Sequence, residues 1–402
     1  MEIKKQNRFL YGLMRIASFF VAKLIFKRKF IRNELKGKKG PLVVIANHQA
    51  ALDFVNLIGA TGRPMTFVIS ESFYSTLPFR RIAPRLGLIP KQQFQTSLHD
   101  IKAMKKAIDD GKILVIYPTG LMCEDGLSTP IPAATYQFLK WIKADVYMAR
   151  SYGTYFSMPK WTSGLRAGRT YLDVYKLFSK EELQDAELSV VKEKTDGALL
   201  FDAYREQEEF RLKRRKNSDI RGLENVLYKC PHCGGEFTVR VKDKSIIFCE
   251  KCGFGERSDK YAFLTRISEV GEEIRYVSDW SRMIYDGVKR DIEEGRLTTL
   301  STHTVIKTVD KKKNEFVTVG EGELTLTREH FTIDATIDGV SELLVIPIAH
   351  FASLPFSPGK HIELQHGEKI YRCCLSEGRL AMKIINMVKA FHEMSPEATR
   401  VK

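Results

Sequence analysis

The sequence contains no long apolar run free of charged residues. This excludes a polytopic membrane protein, because each span needs about 20 consecutive apolar residues. Internal repeats and low-complexity tracts are also absent, so the chain is not a repeat array. Acidic residues are outnumbered: 49 Asp and Glu stand against 64 Lys and Arg, a net charge of +15. That excess indicates an anionic partner, either nucleic acid or anionic lipid.

What is present is enough apolar material for a folded protein. A hydrophobic content of 44 % and an aromatic content of 10 % exclude a mostly disordered chain. The length of 402 residues predicts two or three domains.

The positive charge is concentrated in residues 1–40. Twelve Lys and Arg and two Glu give this segment 12 − 2 = +10 of the +15. An apolar stretch from Phe9 to Phe26 runs through it and is interrupted by Arg15 and Lys23. We therefore expect a helix that lies in a membrane interface with its cations at the headgroups. A helix docked on its own domain and a membrane span are the alternatives. A signal peptide fits less well, because no small-residue cleavage site follows.

Four of the seven cysteines form two Cys-x-x-Cys pairs, Cys230 with Cys233 and Cys249 with Cys252. Fifteen residues separate the pairs, and each pair is followed by glycine. This spacing predicts a zinc ribbon whose zinc is structural, since four thiolates complete a tetrahedral shell. A redox pair or two disulfides are the alternatives. The other cysteines have no metal-binding spacing and are expected to be buried or incidental thiols: Cys123, Cys373 and Cys374.

Alternating strand and helix patterns predict an α/β domain, a sheet covered by helices, at residues 41–205. A helix is predicted from a cap at Ser97 to a stop at Gly111. The predicted strands of this domain are 41–46, 66–70, 113–117, 145–151 and 171–178.

The remaining chain is predicted to be organised differently. Short strands closed by a helix near 380–394 favour a β-rich, pleckstrin-homology-like domain. The predicted boundaries are a charged linker at 206–225, the zinc ribbon at 226–262 and the β-rich domain at 263–402.

Residues suited to acid–base chemistry follow the first predicted strand directly: Asn47, His48 and Asp53. A histidine whose ring nitrogen is held by a carboxylate is suited to remove a proton from an alcohol. The separation of five residues exceeds one helical turn, so a strand-to-helix turn would have to bring His48 and Asp53 together. The pattern alone fits a structural histidine and a helix-start aspartate equally well.

This stretch resembles the glycerolipid acyltransferase family, which includes the 1-acyl-sn-glycerol-3-phosphate acyltransferases. The resemblance implies that 41–205 is an acyltransferase domain, with His48 as general base and Asp53 as its orienting partner. A second family block is matched by Gly87-Leu-Ile-Pro-Lys91, which implies that Gly87 and Lys91 bind substrate. Lys91 fits an ordinary surface lysine as well. In carrying a zinc ribbon the chain is similar to bacterial members of the family.

The third block of the family reads Phe-Pro-Glu-Gly-Thr-Arg and corresponds here to Tyr117-Pro-Thr-Gly-Leu-Met122. The resemblance implies that Pro118, Thr119 and Gly120 belong to the substrate site, together with Asn47. The family's Glu and Arg are usually tied to binding the glycerol phosphate of the acceptor. Thr119 and Met122 replace them, which leaves the acceptor headgroup open.

Together these features favour a peripheral enzyme of phospholipid biosynthesis on the cytoplasmic face of the cell membrane. It would transfer an acyl group from acyl-CoA, acyl-ACP or an acyl phosphate to a lysophospholipid, with 1-acyl-glycerol-3-phosphate converted to phosphatidic acid as the favoured reaction. The expected partners are an anionic membrane surface, the lysophospholipid and acyl carrier protein. Nucleic acid is disfavoured, because the ribbon region is only mildly basic. An acyltransferase with another acceptor, and a binding or regulatory protein on a degenerate acyltransferase fold, remain alternatives.

Overall fold

The computed structural model describes residues 6–92, 98–214, 216–310, 312–348, 351, 353–367 and 369–395. The chain divides into two compact units. Unit 1 comprises Met1–Pro159 and Ser163–Arg215, and unit 2 comprises Lys160–Thr162 and Lys216–Lys402.

Unit 1 is built on one seven-stranded sheet. Its strands are β1 (Lys29–Asn33), β2 (Leu42–Ala46), β3 (Met65–Ser70), β4 (Leu88–Lys91), β5 (Ile113–Ile116), β6 (Asp145–Tyr152) and β7 (Tyr171–Phe178). They lie in the order β1-β7-β6-β2-β5-β3-β4. Pairing is parallel from β6 through β2, β5 and β3 to β4, while β7 runs antiparallel to β6 and parallel to β1. The predicted strands are all present.

Helices cover this sheet, as the α/β pattern predicts. They are α1 (Arg8–Phe20), α2 (Asp53–Leu57), α3 (Glu71–Ser75), α4 (Ala83–Leu86), α5 (Leu98–Asp109), α6 (Ala134–Trp141), α7 (Lys180–Asp185), α8 (Leu188–Leu199) and α9 (Ala203–Phe210). The helix predicted to end at Gly111 is α5, whereas Ser97, its predicted cap, lies outside the described residues.

The central strands are buried on both faces, as their continuous apolar sequences require. On β2, Val43 and Ile45 belong to one hydrophobic cluster, and Leu42 and Val44 to another. Because β6, β2, β5, β3 and β4 are parallel, their carboxyl ends meet at one edge of the sheet, where open α/β sheets commonly place their sites. The loops that follow β2, β5 and β6 therefore emerge together.

The N-terminal helix α1 has two different faces. Its inner face packs on the rest of unit 1, and the backbone N–H of Met65 donates to the Tyr11 hydroxyl at 3.0 Å. A π-helical turn at Val21–Ile25 follows and buries Ala22. Among the described residues, no helix combines the length and the apolar character that a membrane span requires.

Unit 2 begins with a small sheet that carries the paired cysteines. Its strands are β8 (Val239–Lys242), β9 (Ile246–Cys249), β10 (Gly255–Ser258) and β11 (Leu264–Arg266), in the order β11-β10-β9-β8. Strands β8 and β9 pair antiparallel and form a hairpin between the two cysteine pairs.

In the described residues of the rest of unit 2, a seven-stranded antiparallel sheet is accompanied by two α-helices. Its elements are α10 (Val277–Glu293), β12 (Leu300–Asp310), β13 (Glu315–Leu326), β14 (His330–Ile337), β15 (Val340–Pro347), β16 (Phe356–Ser357), β17 (His361–His366), β18 (Lys369–Leu375) and α11 (Leu380–Glu393). The strand order is β15-β14-β13-β12-β18-β17-β16. The β-rich region and the closing helix are therefore present, and the pleckstrin-homology likeness stays a prediction.

Candidate active site and cysteine cluster

The structure brings His48 and Asp53 into direct contact. Nδ1 of His48 lies 3.0 Å from Oδ2 of Asp53. The turn that allows this closes through the N–H of Asp53, which donates to the carbonyl of Ala50 at 3.1 Å, and α2 begins at Asp53. A strand-to-helix turn thus makes the contact across five residues.

Asp53 also holds the backbone of the loop. Its Oδ2 accepts hydrogen bonds from the N–H groups of Gln49 and Ala50 at 2.7 and 2.9 Å. An oxygen that accepts from two N–H groups behaves as a carboxylate oxygen, so the proton of the His48 contact lies on Nδ1. Nε2 of His48 is then the ring nitrogen with a free lone pair, in the side chain that is 20 % exposed.

The ring of Tyr117 packs against His48. The two ring centroids are 4.5 Å apart with an angle of 34° between the planes. The Tyr117 hydroxyl is buried, and the described residues offer it no hydrogen-bond partner. Burial raises the pKa of Tyr117 well above its usual value, and the charge of Asp53 adds to that rise. The Tyr117 side chain is therefore uncharged and packs against the imidazole of His48.

Asn47 joins β2 to β6 by two reciprocal hydrogen bonds. Its Nδ2 donates to the carbonyl of Ser151, and its Oδ1 accepts from the N–H of Ser151, both at 2.8 Å. Asn47 is 1 % exposed. Its contacts fix the strand ends on either side of His48.

The residues predicted after β5 form a tight loop. Strand β5 ends at Ile116, and the N–H of Gly120 donates to the carbonyl of Tyr117, the next residue. Pro118 lies inside this turn. Gly120 has φ +67°, which favours glycine, although a Cβ there would meet no atom. Thr119 is buried and its hydroxyl donates to the carbonyl of Leu121 at 3.2 Å. The hydroxyl that replaces the family's glutamate is thus used within its own loop.

Gly87 directly precedes β4, and Lys91 is its last residue. Gly87 ends α4 with φ +85°, and a Cβ there would collide with the side chain of Gln6. Lys91 lies at the carboxyl end of β4, with Nζ donating to the carbonyl of Gln92 at 3.0 Å. Burial lowers the pKa of Lys91, and Asp100 opposes that shift.

A buried network behind His48 was not predicted from the sequence. Gln49 packs near Glu206 of α9, and Oε1 of Glu206 accepts from Nη2 of Arg150 at 2.7 Å. Glu206 lies in the segment predicted to be a charged linker, and no motif singled it out. The one local signal was Asp202, which caps α9 by accepting from the N–H groups of Tyr204 and Arg205.

The four paired cysteines of unit 2 form a cluster in which all four Sγ atoms lie within 4.8 Å of one another. The two Cys-x-x-Cys turns, called knuckles below, have the same geometry. The N–H of Gly234 donates to the carbonyl of Cys230, and that of Gly253 to the carbonyl of Cys249, each at 3.0 Å. Both glycines have positive φ. The Sγ atoms of Cys230 and Cys252 lie 3.7 Å apart, and those of Cys233 and Cys249 lie 3.8 Å apart. Sulfurs about 2.3 Å from a central tetrahedral ion lie about 3.8 Å apart. The donor set and its spacing therefore fit zinc.

Comparison with known proteins finds matches for the segment that contains the candidate catalytic dyad, His48 and Asp53. A model of the family described as Acyltransferase matches residues 27–157. Among solved structures, the chain is similar to the 1-acyl-sn-glycerophosphate (LPA) acyltransferase PlsC from Thermotoga maritima, with 16 % identity, a TM-score of 0.42, and coverage of 51 % of this chain and 80 % of that chain. No curated protein matches the sequence. The match to the acyltransferase family thus covers residues 27–157, the segment that contains His48 and Asp53.

Proposed function

We propose that this protein transfers an acyl group to the hydroxyl of a lysophospholipid, with 1-acyl-glycerol-3-phosphate as acceptor and phosphatidic acid as product. The observation that carries the proposal is the contact of 3.0 Å between Nδ1 of His48 and Oδ2 of Asp53, inside the segment that matches the acyltransferase family. The acceptor class follows from the resemblance of Asn47–Asp53 to the lysophospholipid acyltransferases.

The chemistry uses the free ring nitrogen. Nε2 of His48 takes the proton of the acceptor hydroxyl while that oxygen attacks the acyl carbonyl carbon. The new ester bond forms as the bond from carbon to the sulfur or phosphate oxygen of the donor breaks, and the leaving group takes the proton from His48. Asp53 keeps the ring oriented and stabilises the imidazolium that forms in between. The donor is an acyl-CoA, an acyl group carried by acyl carrier protein (acyl-ACP), or an acyl phosphate.

A second acceptor class has an observation in its favour. The positions of the family's glutamate and arginine are occupied by Thr119 and Met122, and the Thr119 hydroxyl is turned into its own loop. These positions therefore supply no charge for an acceptor phosphate. An acceptor without an anionic headgroup is the alternative, and a panel of lysophospholipids with different headgroups separates the two.

The test is acyl transfer by purified protein on anionic vesicles, with each donor offered in turn. His48→Ala should reduce the rate of ester formation by at least about a thousandfold, because the general base and its oriented ring are both lost. Asp53→Asn should also reduce the rate strongly, since an amide cannot accept all three hydrogen bonds that reach Oδ2.

His99→Ala is the matched control, because His99 is an exposed histidine of unit 1 whose ring contacts a different aspartate, Asp100. It should keep the wild-type rate. Wild-type activity in His48→Ala would remove the dyad assignment. Wild-type protein that binds lysophospholipid but forms no ester from any donor would favour the binding or regulatory alternative.

The proposal includes a peripheral position on the cytoplasmic face of the membrane. Its support is the outer face of α1 and the turn after it, which expose a row of apolar side chains: Phe9, Leu13, Ile16, Phe20 and Leu24. Exposed cations border this row, among them Arg8, Arg15 and Lys23. An apolar row bordered by cations suits an anionic lipid surface. The inner face is docked on unit 1, so docking on the domain and on a membrane are compatible.

We also propose that the cysteine cluster of unit 2 holds a structural zinc ion. The support is the presence of four thiols at tetrahedral spacing, which leaves no open coordination position. Cys230, Cys233, Cys249 and Cys252 would be the ligands. Bound zinc would fix the two knuckles and supply folding free energy to the small sheet.

A further inference from the structure

Gln49, the residue after His48, is held by hydrogen bonds of its side chain as well as of its backbone. Oε1 of Gln49 accepts from the hydroxyl of Thr154 at 2.9 Å and from the N–H of Tyr155 at 3.2 Å. Its Nε2 lies 3.5 Å from Oε2 of Glu206. Gln49 is 1 % exposed. The amide therefore spans the gap between the loop after β6 and helix α9.

Glu206 is itself anchored from the other side. Its Oε1 accepts from Nη2 of Arg150 at 2.7 Å, and both side chains are largely buried. The same guanidinium donates to the carbonyls of Ala198 and Leu200 at 2.6 and 3.1 Å. Arg150 thus joins β6 to the end of α8, and Glu206 joins this anchor to Gln49.

Movement of Gln49 would be transmitted to the dyad. The N–H of Gln49 donates to Oδ2 of Asp53, the same oxygen that contacts Nδ1 of His48. The side chain and the backbone of Gln49 therefore connect Glu206 to the atom that orients the imidazole. A displacement of about 1 Å at a reacting group can cost a factor of 100 in rate.

We propose that Glu206 is a positioning residue for acyl transfer, which acts in its ionised form through Gln49 on the His48–Asp53 pair. The proposal rests on the proposed function for the reaction it would affect. Glu206 lies outside the segment 27–157 that matches the family. Helix α9 therefore contributes a positioning contact that the matched segment itself lacks.

The network makes this support sensitive to pH. Burial raises the pKa of Glu206 to about 7, and Asp202 adds to the rise, while Arg150 and Gln49 oppose it. Tyr152, on the strand of Arg150, also interacts with the Glu206 charge. The ionised carboxylate can accept both from Arg150 and from Gln49. Its fraction grows as the pH rises through 7, so the positioning effect strengthens in that direction.

The experiment measures kcat and KM of Glu206→Gln from pH 5.5 to 9. At pH 8 the variant should lose about tenfold in kcat with KM changed less than twofold, because ordering of the dyad is affected and substrate contacts are not. The wild-type profile should contain an ionisation near pH 7 that Glu206→Gln lacks. Glu206→Asp should keep that ionisation, since it retains the carboxylate.

Glu209→Gln is the matched control, because Glu209 is an exposed glutamate of the same helix. It should keep the wild-type kcat and the wild-type profile. If Glu206→Gln fails to fold, Gln49→Met breaks the same link from its other end with a side chain of similar size, and the same loss is expected. A folded Glu206→Gln or Gln49→Met protein with wild-type kcat and an unchanged profile would overturn the proposal.

A second readout separates this proposal from the proposed function. The backbone amide signals of Gln49 and Ala50 are followed by NMR from pH 5.5 to 9 in His48→Ala and in His48→Ala combined with Glu206→Gln. The first protein should show a shift step near pH 7 that the second lacks, whether or not the wild type transfers acyl groups. The same step in both would refute the link, while a wild type without acyl transfer would refute only the proposed reaction.

Discussion

Asp53 does two things with one oxygen. Its Oδ2 accepts from the ring of His48 and from two backbone N–H groups of the loop, whereas no described residue hydrogen-bonds to Oδ1. The aspartate is 2 % exposed, and the three hydrogen bonds to Oδ2 satisfy this buried carboxylate oxygen. Loop shape and imidazole orientation therefore depend on the same atom, and a change that disturbs one disturbs the other.

A second buried carboxyl, Glu256 on β10, has a different consequence. The N–H of Ile274 donates to its Oε1 at 2.6 Å, and the described residues give Oε2 no partner. Burial raises the pKa of Glu256 to about 8, with Glu273 adding to the rise and Arg266 opposing it. A raised pKa in the folded state stabilises below the unfolded value near 4.5, and this contribution is lost as the pH rises toward 8.

We therefore expect Glu256→Gln to be more stable than the wild type at pH 8, on the order of 1–3 kcal/mol, with the difference vanishing near pH 4.5. The amide keeps an oxygen for the N–H of Ile274 and carries no charge. Urea unfolding at several pH values measures the difference. Glu269→Gln, at an exposed glutamate of unit 2, should show none. A difference that does not grow between pH 5 and pH 8 would contradict the expectation.

The sequence predicts residues of this site only where the signal is local. His48 and Asp53 are five residues apart and follow a clear strand, so their contact could be anticipated. Gln49 and Glu206 are 157 residues apart, and their proximity exists only because α9 returns to the end of β2. No periodicity in a charged segment indicates which of its glutamates will be buried.

At the scale of elements, apolar runs and helix ends carry the prediction. Strand β7 and helix α11 have the predicted bounds to within one residue, because each has a regular pattern with clear ends. Strand β12 was not predicted, because two of its buried positions hold Thr302 and Thr304 instead of apolar residues. Its pairing with β13 and β18 supplies the stabilisation that the local pattern lacks. Tertiary pairing overrides weak local patterns.

Helix α1 shows how one element can serve two surfaces. Its inner side buries Tyr11 and Ser18, while Phe9 on the outer side is 73 % exposed. Burial raises the pKa of Tyr11 to about 12, which keeps its hydroxyl neutral as an acceptor for Met65. The inner contacts hold the helix on unit 1 and leave the outer row oriented away from it.

Ile16→Glu should weaken binding to anionic vesicles at least about tenfold, because it places a negative charge in the centre of the outer row. Vesicle sedimentation measures the bound fraction. Val190→Glu is the matched control, since Val190 is about as exposed on α8 as Ile16 is on α1. Equal vesicle binding by wild type and Ile16→Glu would show that α1 does not contact the membrane. Binding of nucleic acid without binding of vesicles would favour nucleic acid as the anionic partner.

At the scale of the molecule, each unit has its own source of stability. Unit 1 has hydrophobic clusters on both faces of a largely parallel sheet, which include Val43 on one side and Val44 on the other. The small sheet of unit 2 has strands of three or four residues. Strands of that length supply little cohesion alone, so the cysteine cluster is the natural candidate for what holds them.

The proposed zinc site predicts that a chelator destabilises unit 2 selectively. We expect about one zinc per chain by elemental analysis of the wild type, and a large loss with Cys230→Ser, because three thiolates and a hydroxyl bind the ion far more weakly. Calorimetry with a chelator should lower one unfolding transition and leave another in place, as expected when two units unfold separately.

Cys374→Ser is the matched control, because Cys374 is a half-buried thiol of unit 2 outside the cluster. It should keep both the zinc content and the transition temperatures. Zinc content near zero in wild type purified without chelator, together with a chelator-insensitive transition, would rule out the structural ion. The alternatives of a redox pair or two disulfides would then remain, and two pairs have sulfurs close together, Cys230 with Cys252 at 3.7 Å and Cys233 with Cys249 at 3.8 Å.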